Sequence, residues 1–127
     1  MTKPLDVLNQ WMQAINSSDV DKLLSLYDSS AILIPTFSNK VLNTPEKLRN
    51  YFEMLGNREE LSIALHENTL KMQELKDNYY TINGIYNWRF KVEDEILNFE
   101  ARFSYLVDTS SSTPILHHHS SQVPRML

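Results

Sequence analysis

The segment from Ile115 to Ser121 reads Ile-Leu-His-His-His-Ser-Ser and holds three of the four histidines in the chain. Imidazole and hydroxyl groups can bind anions, transfer protons or ligate metals. In an extended strand, successive side chains point to opposite faces. This divides the segment into two sets: His117, His119 and Ser121 on one face, and Leu116, His118 and Ser120 on the other. The three imidazoles are therefore not expected to meet at one point.

Three interpretations of this segment stay open from the residues alone. Three histidines form the ligand set of some catalytic zinc sites, but here a third ligand such as His66 would have to join His117 and His119. Alternatively, structural hydrogen bonds hold the histidine pair. In the third interpretation, His119 and Ser121 contact an anion or a small substrate. We predict no bound metal and no other cofactor.

The composition favours a single domain that spans residues 1–127. Apolar residues make up 42% of the 127 positions, which is enough for a core of its own. The net charge of −4 and the absence of a Lys/Arg cluster argue against a nucleic-acid partner or an acidic membrane surface. No cysteine is present to form a disulfide, and no apolar run reaches the ~20 residues of a membrane span. We expect a cytoplasmic protein, which is compatible with a leader having been removed.

Three amphipathic segments in the first half of the chain predict helices. Thr44 and Pro45 give the third helix a hydroxyl cap and a proline at its first position. Tyr51 lies on the apolar face of that helix, so its side chain is expected to point inward. The second helix is taken to end with Tyr27. Apolar residues recur at helical spacing over residues 5–15, 20–27 and 48–55.

The second half of the chain predicts strands, because its apolar and aromatic residues alternate with polar ones. The predicted strands cover residues 31–34, 61–75 with a bend, 80–90, 97–107 and the segment from 115 onward. Helices followed by long strands indicate an α+β fold. We predict N-terminal helices packed on one face of a strongly curved antiparallel sheet.

The alternation makes the two faces of this sheet chemically different. One face carries large aromatic side chains such as Trp88 and Phe103, and the other carries polar groups such as Glu100 and Arg102. Because monomers rarely expose a large apolar surface, we predict that the aromatic face forms a homodimer interface. The mixed face would then close under the helices as a cavity, where Glu100 or a bound anion partners a buried Arg102. In the alternative arrangement, the aromatic side chains face the helices and the polar face is solvated.

Two segments of the chain are similar to a known family. The first reads Ile-Pro-Thr-Phe-Ser-Asn-Lys over residues 34–40, followed by Thr-Pro-Glu at 44–46. The second combines Ala-Arg-Phe-Ser-Tyr at 101–105 with His-His-His-Ser-Ser-Gln-Val-Pro at 117–124. With the order of elements, they resemble the association domain of calcium/calmodulin-dependent protein kinase II and its free-standing bacterial relatives, which have the cone-shaped fold of nuclear transport factor 2 (NTF2). Within that group the chain looks most like the iota-class carbonic anhydrases.

This resemblance implies an interconversion of carbon dioxide and bicarbonate that proceeds without a metal. The pocket hydroxyls of the family fall on Thr36, Tyr51 and Ser121, with His119 beside them as a candidate for proton transfer. The predicted substrate contacts are Asn39, Arg102 and His117.

Three functions are consistent with the sequence. The first is a carbonic anhydrase-like hydratase, and the second is a binding module that holds a small anion or carboxylate without chemistry. The third is an assembly domain, because the kinase relatives oligomerise through this fold. The first two require one cavity lined by Thr36, Tyr51, Arg102 and Ser121. In the simplest structural alternatives, Thr36 caps a turn and Tyr51 is an ordinary core tyrosine.

Overall fold

The structure is a computed structural model that describes residues 2–127. Its helices are α1 (Pro4–Asn16), α2 (Val20–Ser25) and α3 (Pro45–Gly56), and a short 3-10 turn covers Glu67–Thr69. Its strands are β1 (Tyr27–Ile34), β2 (Ser62–Leu65), β3 (Lys71–Glu74), β4 (Tyr79–Val92), β5 (Glu95–Asp108) and β6 (Ile115–Gln122). The predicted α+β class, with N-terminal helices on a curved sheet, is confirmed.

The long strands β4 and β5 form the centre of the sheet, whose order is β1-β6-β5-β4-β2. The pairings are antiparallel except for β1 with β6, which run parallel. β3 also pairs with β4, and the 3-10 turn separates it from β2. The bent strand predicted over residues 61–75 is therefore two short strands along the same edge.

The helix ends follow from local chemistry with one exception. The Thr44 side chain accepts a hydrogen bond from the Lys47 backbone N–H at 3.2 Å, and Pro45 begins α3 as predicted. The predicted extension of α2 to Tyr27 is wrong, because α2 ends at Ser25 and Tyr27 begins β1 opposite Ile115. Sheet pairing outweighs the helical spacing there. No helix within residues 2–127 combines the length and apolarity needed to cross a bilayer.

The aromatic face of the sheet is covered by the chain's own helices. Trp11 of α1 stacks on Tyr86 with ring centroids 5.6 Å apart, and it meets Trp88 and Tyr105 edge-on at 5.8 and 5.7 Å. Tyr86 is 0% exposed and Tyr105 is 1% exposed within this single chain. The predicted homodimer interface on this face is therefore wrong. Packing these rings against Trp11 removes their apolar area from water without a second subunit.

The opposite face of the sheet carries the polar residues and faces solvent. Arg102 and Ser104 of β5 are exposed, and Asn87 of β4 is half-buried. Glu100 contacts His66 at 3.4 Å rather than pairing with a buried arginine. The predictions that Arg102 is buried and that the mixed face closes under the helices are wrong. The alternative arrangement, with aromatic side chains under the helices, is the one observed.

We expect Gly84→Ala to lower the free energy of unfolding by roughly 1 kcal/mol. A methyl group there would lie 3.1 Å from the Phe103 ring and 3.2 Å from Thr69 Oγ1. Phe103 cannot retreat easily, because it stacks on Tyr86 at 4.4 Å. Gly56→Ala is the matched control, since its nearest neighbour would be 3.6 Å away in ordinary contact. Urea denaturation that finds equal stability for both variants would contradict this account of the packing.

Candidate functional site

The register of β5 with β6 separates the histidine–serine segment into two groups, as the alternation predicted. The inward pairs are Tyr105 with His118 and Phe103 with Ser120, and the outward pairs are Ser104 with His119 and Arg102 with Ser121. His118 and Ser120 are both 2% exposed, whereas His119 is exposed. The segment therefore contributes to two different surroundings.

The inward group lines a small cavity, which we call the inner cavity. Its volume is about 10 Å³, which is about the space that one water molecule needs. Apolar walls come from Trp11, Leu33, Pro35 and Phe52. Its polar lining residues are Thr36, Tyr51, Tyr86, Trp88, His118 and Ser120.

Two of these hydroxyls are in direct contact. Pro35 ends β1, and Thr36 follows immediately beside the parallel strand β6. Thr36 Oγ1 lies 2.5 Å from Ser120 Oγ, and either atom can be the donor. Tyr51 Oη accepts a hydrogen bond from the Phe37 backbone N–H at 3.3 Å, which leaves its own hydrogen for another partner.

His118 is held by hydrogen bonds at both ring nitrogens. Its Nδ1 lies 2.8 Å from Tyr27 Oη, and its Nε2 lies 3.1 Å from Tyr86 Oη. Trp11 Nε1 donates to Tyr27 Oη at 3.0 Å. Burial lowers the pKa of His118 well below its usual value, and the neighbouring imidazoles of His117 and His119 lower it further. The His118 ring is therefore neutral at physiological pH.

The buried phenols of the cavity keep their protons. Burial raises the pKa of Tyr51, although the Phe37 N–H opposes this shift. Burial also raises the pKa of Tyr86, and hydrogen bonding with Ser120 and Thr36 lowers it only in part. Both side chains therefore remain hydrogen-bond donors at neutral pH.

Two buried polar atoms of the core lack a partner among residues 2–127. They are the indole Nε1 of Trp88 and the hydroxyl of Tyr105. Buried polar groups are usually hydrogen-bonded, so such exceptions call for an explanation. Trp88 lines the inner cavity, whereas Tyr105 stacks on the His118 ring with centroids 3.8 Å apart.

The outward group lines a separate open depression of about 300 Å³, which we call the outer depression. His119 Nε2 lies 2.8 Å from Ser121 Oγ, and Arg102 and Ser104 also line this depression. His117 is half-buried on the same face of the sheet, opposite Leu106.

The predicted site residues are thus not in one place. Thr36 and Tyr51 line the inner cavity, while Arg102 and Ser121 lie on the solvent side of the sheet. Asn39 is exposed in the loop after β1. The prediction of one cavity shared by Thr36, Tyr51, Arg102 and Ser121 is wrong. Alternation correctly places Ser121 on the same face of β6 as His119, but it does not indicate which face the helices cover.

Ser120 and His118 were not predicted as candidate functional residues from the sequence. Their signal was their pairing partners, because β5 residues of the same face are aromatic and aromatic residues prefer the interior. His66, proposed as a third metal ligand, instead lies near Glu100. Across residues 2–127, no three His, Cys, Asp or Glu side chains gather in a way that could hold a metal ion.

Comparisons with known proteins agree with this architecture. The sequence model described as the calcium/calmodulin dependent protein kinase II association domain matches residues 4–124. A candidate association domain of this kind from Xanthomonas campestris has a TM-score of 0.85 and 24% identity, over 96% of this chain and 86% of that one. No curated protein matches the sequence.

Two further structures establish the fold more broadly. A candidate dehydratase of the NTF2-like family from Streptomyces avermitilis has a TM-score of 0.78 and 15% identity, over 94% of this chain and 92% of that one. A ketosteroid isomerase-like protein from Erwinia carotovora atroseptica has a TM-score of 0.74 and 8% identity, over 95% and 94%. The predicted NTF2-like cone is therefore confirmed.

Proposed function

Because this chain belongs to the calcium/calmodulin dependent protein kinase II association domain family, we propose that its inner cavity is a small-molecule site that hydrates carbon dioxide to bicarbonate without a metal. The observation that carries the proposal is the partly buried Thr36–Ser120 hydroxyl pair at 2.5 Å, which lines the inner cavity with Tyr51. The resemblance to iota-class carbonic anhydrases gave this role to Thr36, Tyr51 and Ser121. We assign it to Ser120 instead, since Ser120 is the serine that shares a cavity with the other two.

In the proposed reaction, the oxygen of a water molecule attacks the carbon of carbon dioxide. A new C–O bond forms, one C=O electron pair moves onto oxygen, and the water loses a proton to the solvent. Negative charge develops on the substrate oxygens. Oriented donors in a site away from water stabilise such charge. Here they are Tyr51 and whichever of Thr36 and Ser120 does not donate to the other.

His119, which the resemblance suggested for proton transfer, lies in the outer depression and has no role in this proposal. His118 is closer to the hydroxyls, but both of its nitrogens are engaged by Tyr27 and Tyr86. We therefore assign no side chain as the final proton acceptor, and buffer or water takes the proton.

The inner cavity has room for about one water molecule, so the proposal requires its walls to move apart to admit carbon dioxide beside that water. Its volume of about 10 Å³ does not admit a ring compound of the kind that larger pockets bind. Tyr51 lines this cavity and also a surface groove of about 310 Å³, so it stands between the two. Lys40 and Lys47 line the groove and would attract an anionic product.

The test is stopped-flow hydration of carbon dioxide by protein treated with a strong chelator. We expect a rate above that of buffer, and we expect the chelator to leave it unchanged. A rate equal to buffer would end the proposal, and a rate lost to the chelator and restored by zinc would replace the metal-free mechanism.

Self-association is a second candidate, favoured by the family description. The aromatic face is buried under the helices, so a partner would have to meet another surface, such as the polar face with Arg102 and Ser104. Size-exclusion chromatography with light scattering is the direct measurement. A monomer at every concentration tested would contradict this candidate and leave the hydration proposal intact.

A further inference from the structure

A continuous row of hydrogen bonds leads from α1 to the inner cavity. It begins at Trp11, passes through Tyr27 and His118, and reaches Tyr86. An indole N–H can only donate, so the direction of the first bond is fixed: Trp11 Nε1 donates to Tyr27 Oη.

The first bond determines the second. Tyr27 Oη already receives the indole hydrogen, and its other partner is His118 Nδ1 at 2.8 Å. A buried hydroxyl that does not donate loses a hydrogen bond at a cost of roughly 1 kcal/mol or more. Tyr27 therefore donates to Nδ1, which must be the unprotonated nitrogen of the ring.

The tautomer determines the third bond. A neutral imidazole with an accepting Nδ1 carries its hydrogen on Nε2. That hydrogen points to Tyr86 Oη at 3.1 Å, so Tyr86 accepts from His118 and cannot donate back. The Tyr86 hydrogen is left for its remaining hydroxyl neighbours, which are Ser120, Tyr105 and Thr36, and among them Ser120 has the largest hydrogen-bonding effect on the Tyr86 pKa. Ser120 and Thr36 form the hydroxyl pair of the cavity.

We infer that His118 is a positioning residue, held as the Nε2–H tautomer by Tyr27, and that it turns the Tyr86 hydroxyl toward the Thr36–Ser120 pair so that the inner cavity offers hydrogen-bond donors to its ligand. Each hydroxyl in the row accepts one hydrogen bond through its oxygen and donates its own hydrogen to the next group. One donor hydrogen therefore remains at the cavity for a ligand. The ligand class that fits is a small molecule with accepting oxygen atoms, such as a carboxylate, bicarbonate or carbon dioxide. The choice of bicarbonate among these rests on the proposed function.

Trp88 supports the same conclusion independently. Its indole is 2% exposed and lines the inner cavity, and in the chain from residue 2 to residue 127 its N–H has no acceptor. An N–H donor of this kind is satisfied by an accepting ligand and is left unsatisfied by a cation. The cavity thus has a second donor that the row of hydrogen bonds does not supply.

The test is a nitrogen-15 NMR spectrum of the histidine side chains in the wild type, Tyr27→Phe and Tyr105→Phe. We expect the wild-type His118 to show a protonated Nε2 and a hydrogen-bonded, unprotonated Nδ1. In Tyr27→Phe the Nδ1 resonance should move to the position of a nitrogen without a hydrogen bond. Tyr105→Phe is the matched control, because Tyr105 stacks on His118, whereas the hydrogen bonds of the two ring nitrogens go to Tyr27 and Tyr86.

Two results would overturn the inference. One is a wild-type His118 that is protonated at Nδ1, and the other is a Tyr27→Phe spectrum indistinguishable from that of Tyr105→Phe. The spectra do not depend on enzymatic activity, so they test the inference separately from the proposed function. If the spectra are as expected but no hydration is measured, only the proposed hydratase function is contradicted.

A second measurement addresses the ligand class, with bicarbonate as the probe. Added bicarbonate should shift the Trp88 indole N–H resonance in the wild type, whereas ammonium at the same ionic strength should not. If the protein hydrates carbon dioxide, Tyr27→Phe should lower kcat/KM about fivefold, the value of one neutral hydrogen bond. A Trp88 shift with ammonium but not with bicarbonate would overturn the assignment of a donor-rich cavity.

Discussion

Ser120→Ala is expected to lower kcat/KM for carbon dioxide hydration about 100-fold, while Ser121→Ala stays within about twofold of the wild type. The two serines are adjacent in sequence and undergo the same chemical change. Ser120 contacts Thr36 in the inner cavity, whereas Ser121 contacts His119 in the outer depression. Loss of one oriented donor at a developing negative charge typically costs two to three orders of magnitude.

The comparison is informative because each variant controls for the other. Both change β6 by one hydroxyl, so a general effect on folding would appear in urea denaturation and could be subtracted. A larger loss in Ser121→Ala than in Ser120→Ala would move the reaction to the solvent side of the sheet, where Ser121 lies with His119 and Arg102. Equal losses would point to destabilised β6 rather than to catalysis.

The second large expected effect is a loss of folding stability at acidic pH. His118 has a lowered pKa in the folded state because it is buried, so below about pH 6.5 the unfolded chain binds a proton that the folded chain does not. Stability is then lost as the pH falls, by about 1.4 kcal/mol per pH unit. Between pH 7 and pH 5 we expect His118 to account for a loss of about 2 kcal/mol.

Urea denaturation at several pH values tests this, with His118→Gln and His117→Gln as a pair. His118→Gln should be less stable at pH 7 but should lose about 2 kcal/mol less than the wild type on going to pH 5. His117, half-buried on the solvent side, is the matched control and should keep the wild-type slope. Asp28, whose pKa is lowered by hydrogen bonds from Ser30, titrates below this window. A wild-type slope in His118→Gln would contradict a buried, neutral imidazole.

The sequence predicts the helices well because their signals are local. The cap of α3 needs only Thr44, Pro45 and the following turn, and these lie within a few residues of one another. Tyr27 is the instructive failure, since its helical spacing is correct but its backbone pairs with Ile115 far along the chain. Local periodicity contains no information about a strand partner so far away in the sequence.

The candidate site was predicted only in part, for a similar reason. Alternation correctly grouped Ser121 with His119, because alternation along a single strand is a local property. Which face the helices cover depends on the whole-chain balance of apolar area, and Trp11 decides it by packing on Tyr86. The prediction that Thr36 and Tyr51 point into the interior is correct, but the serine that lies with them there is Ser120 rather than Ser121.

The contact between Thr36 and Ser120 joins residues 84 positions apart, through the parallel pairing of the first strand with the last. Contacts between residues so distant in sequence form slowly, because a long loop must close, at a cost in entropy, before the contact can stabilise the chain. The hydroxyl pair therefore cannot exist on a nascent chain until β6 has left the ribosome. A fragment without β6 would lose the strand that joins β1 to β5, and the hydroxyl pair with it.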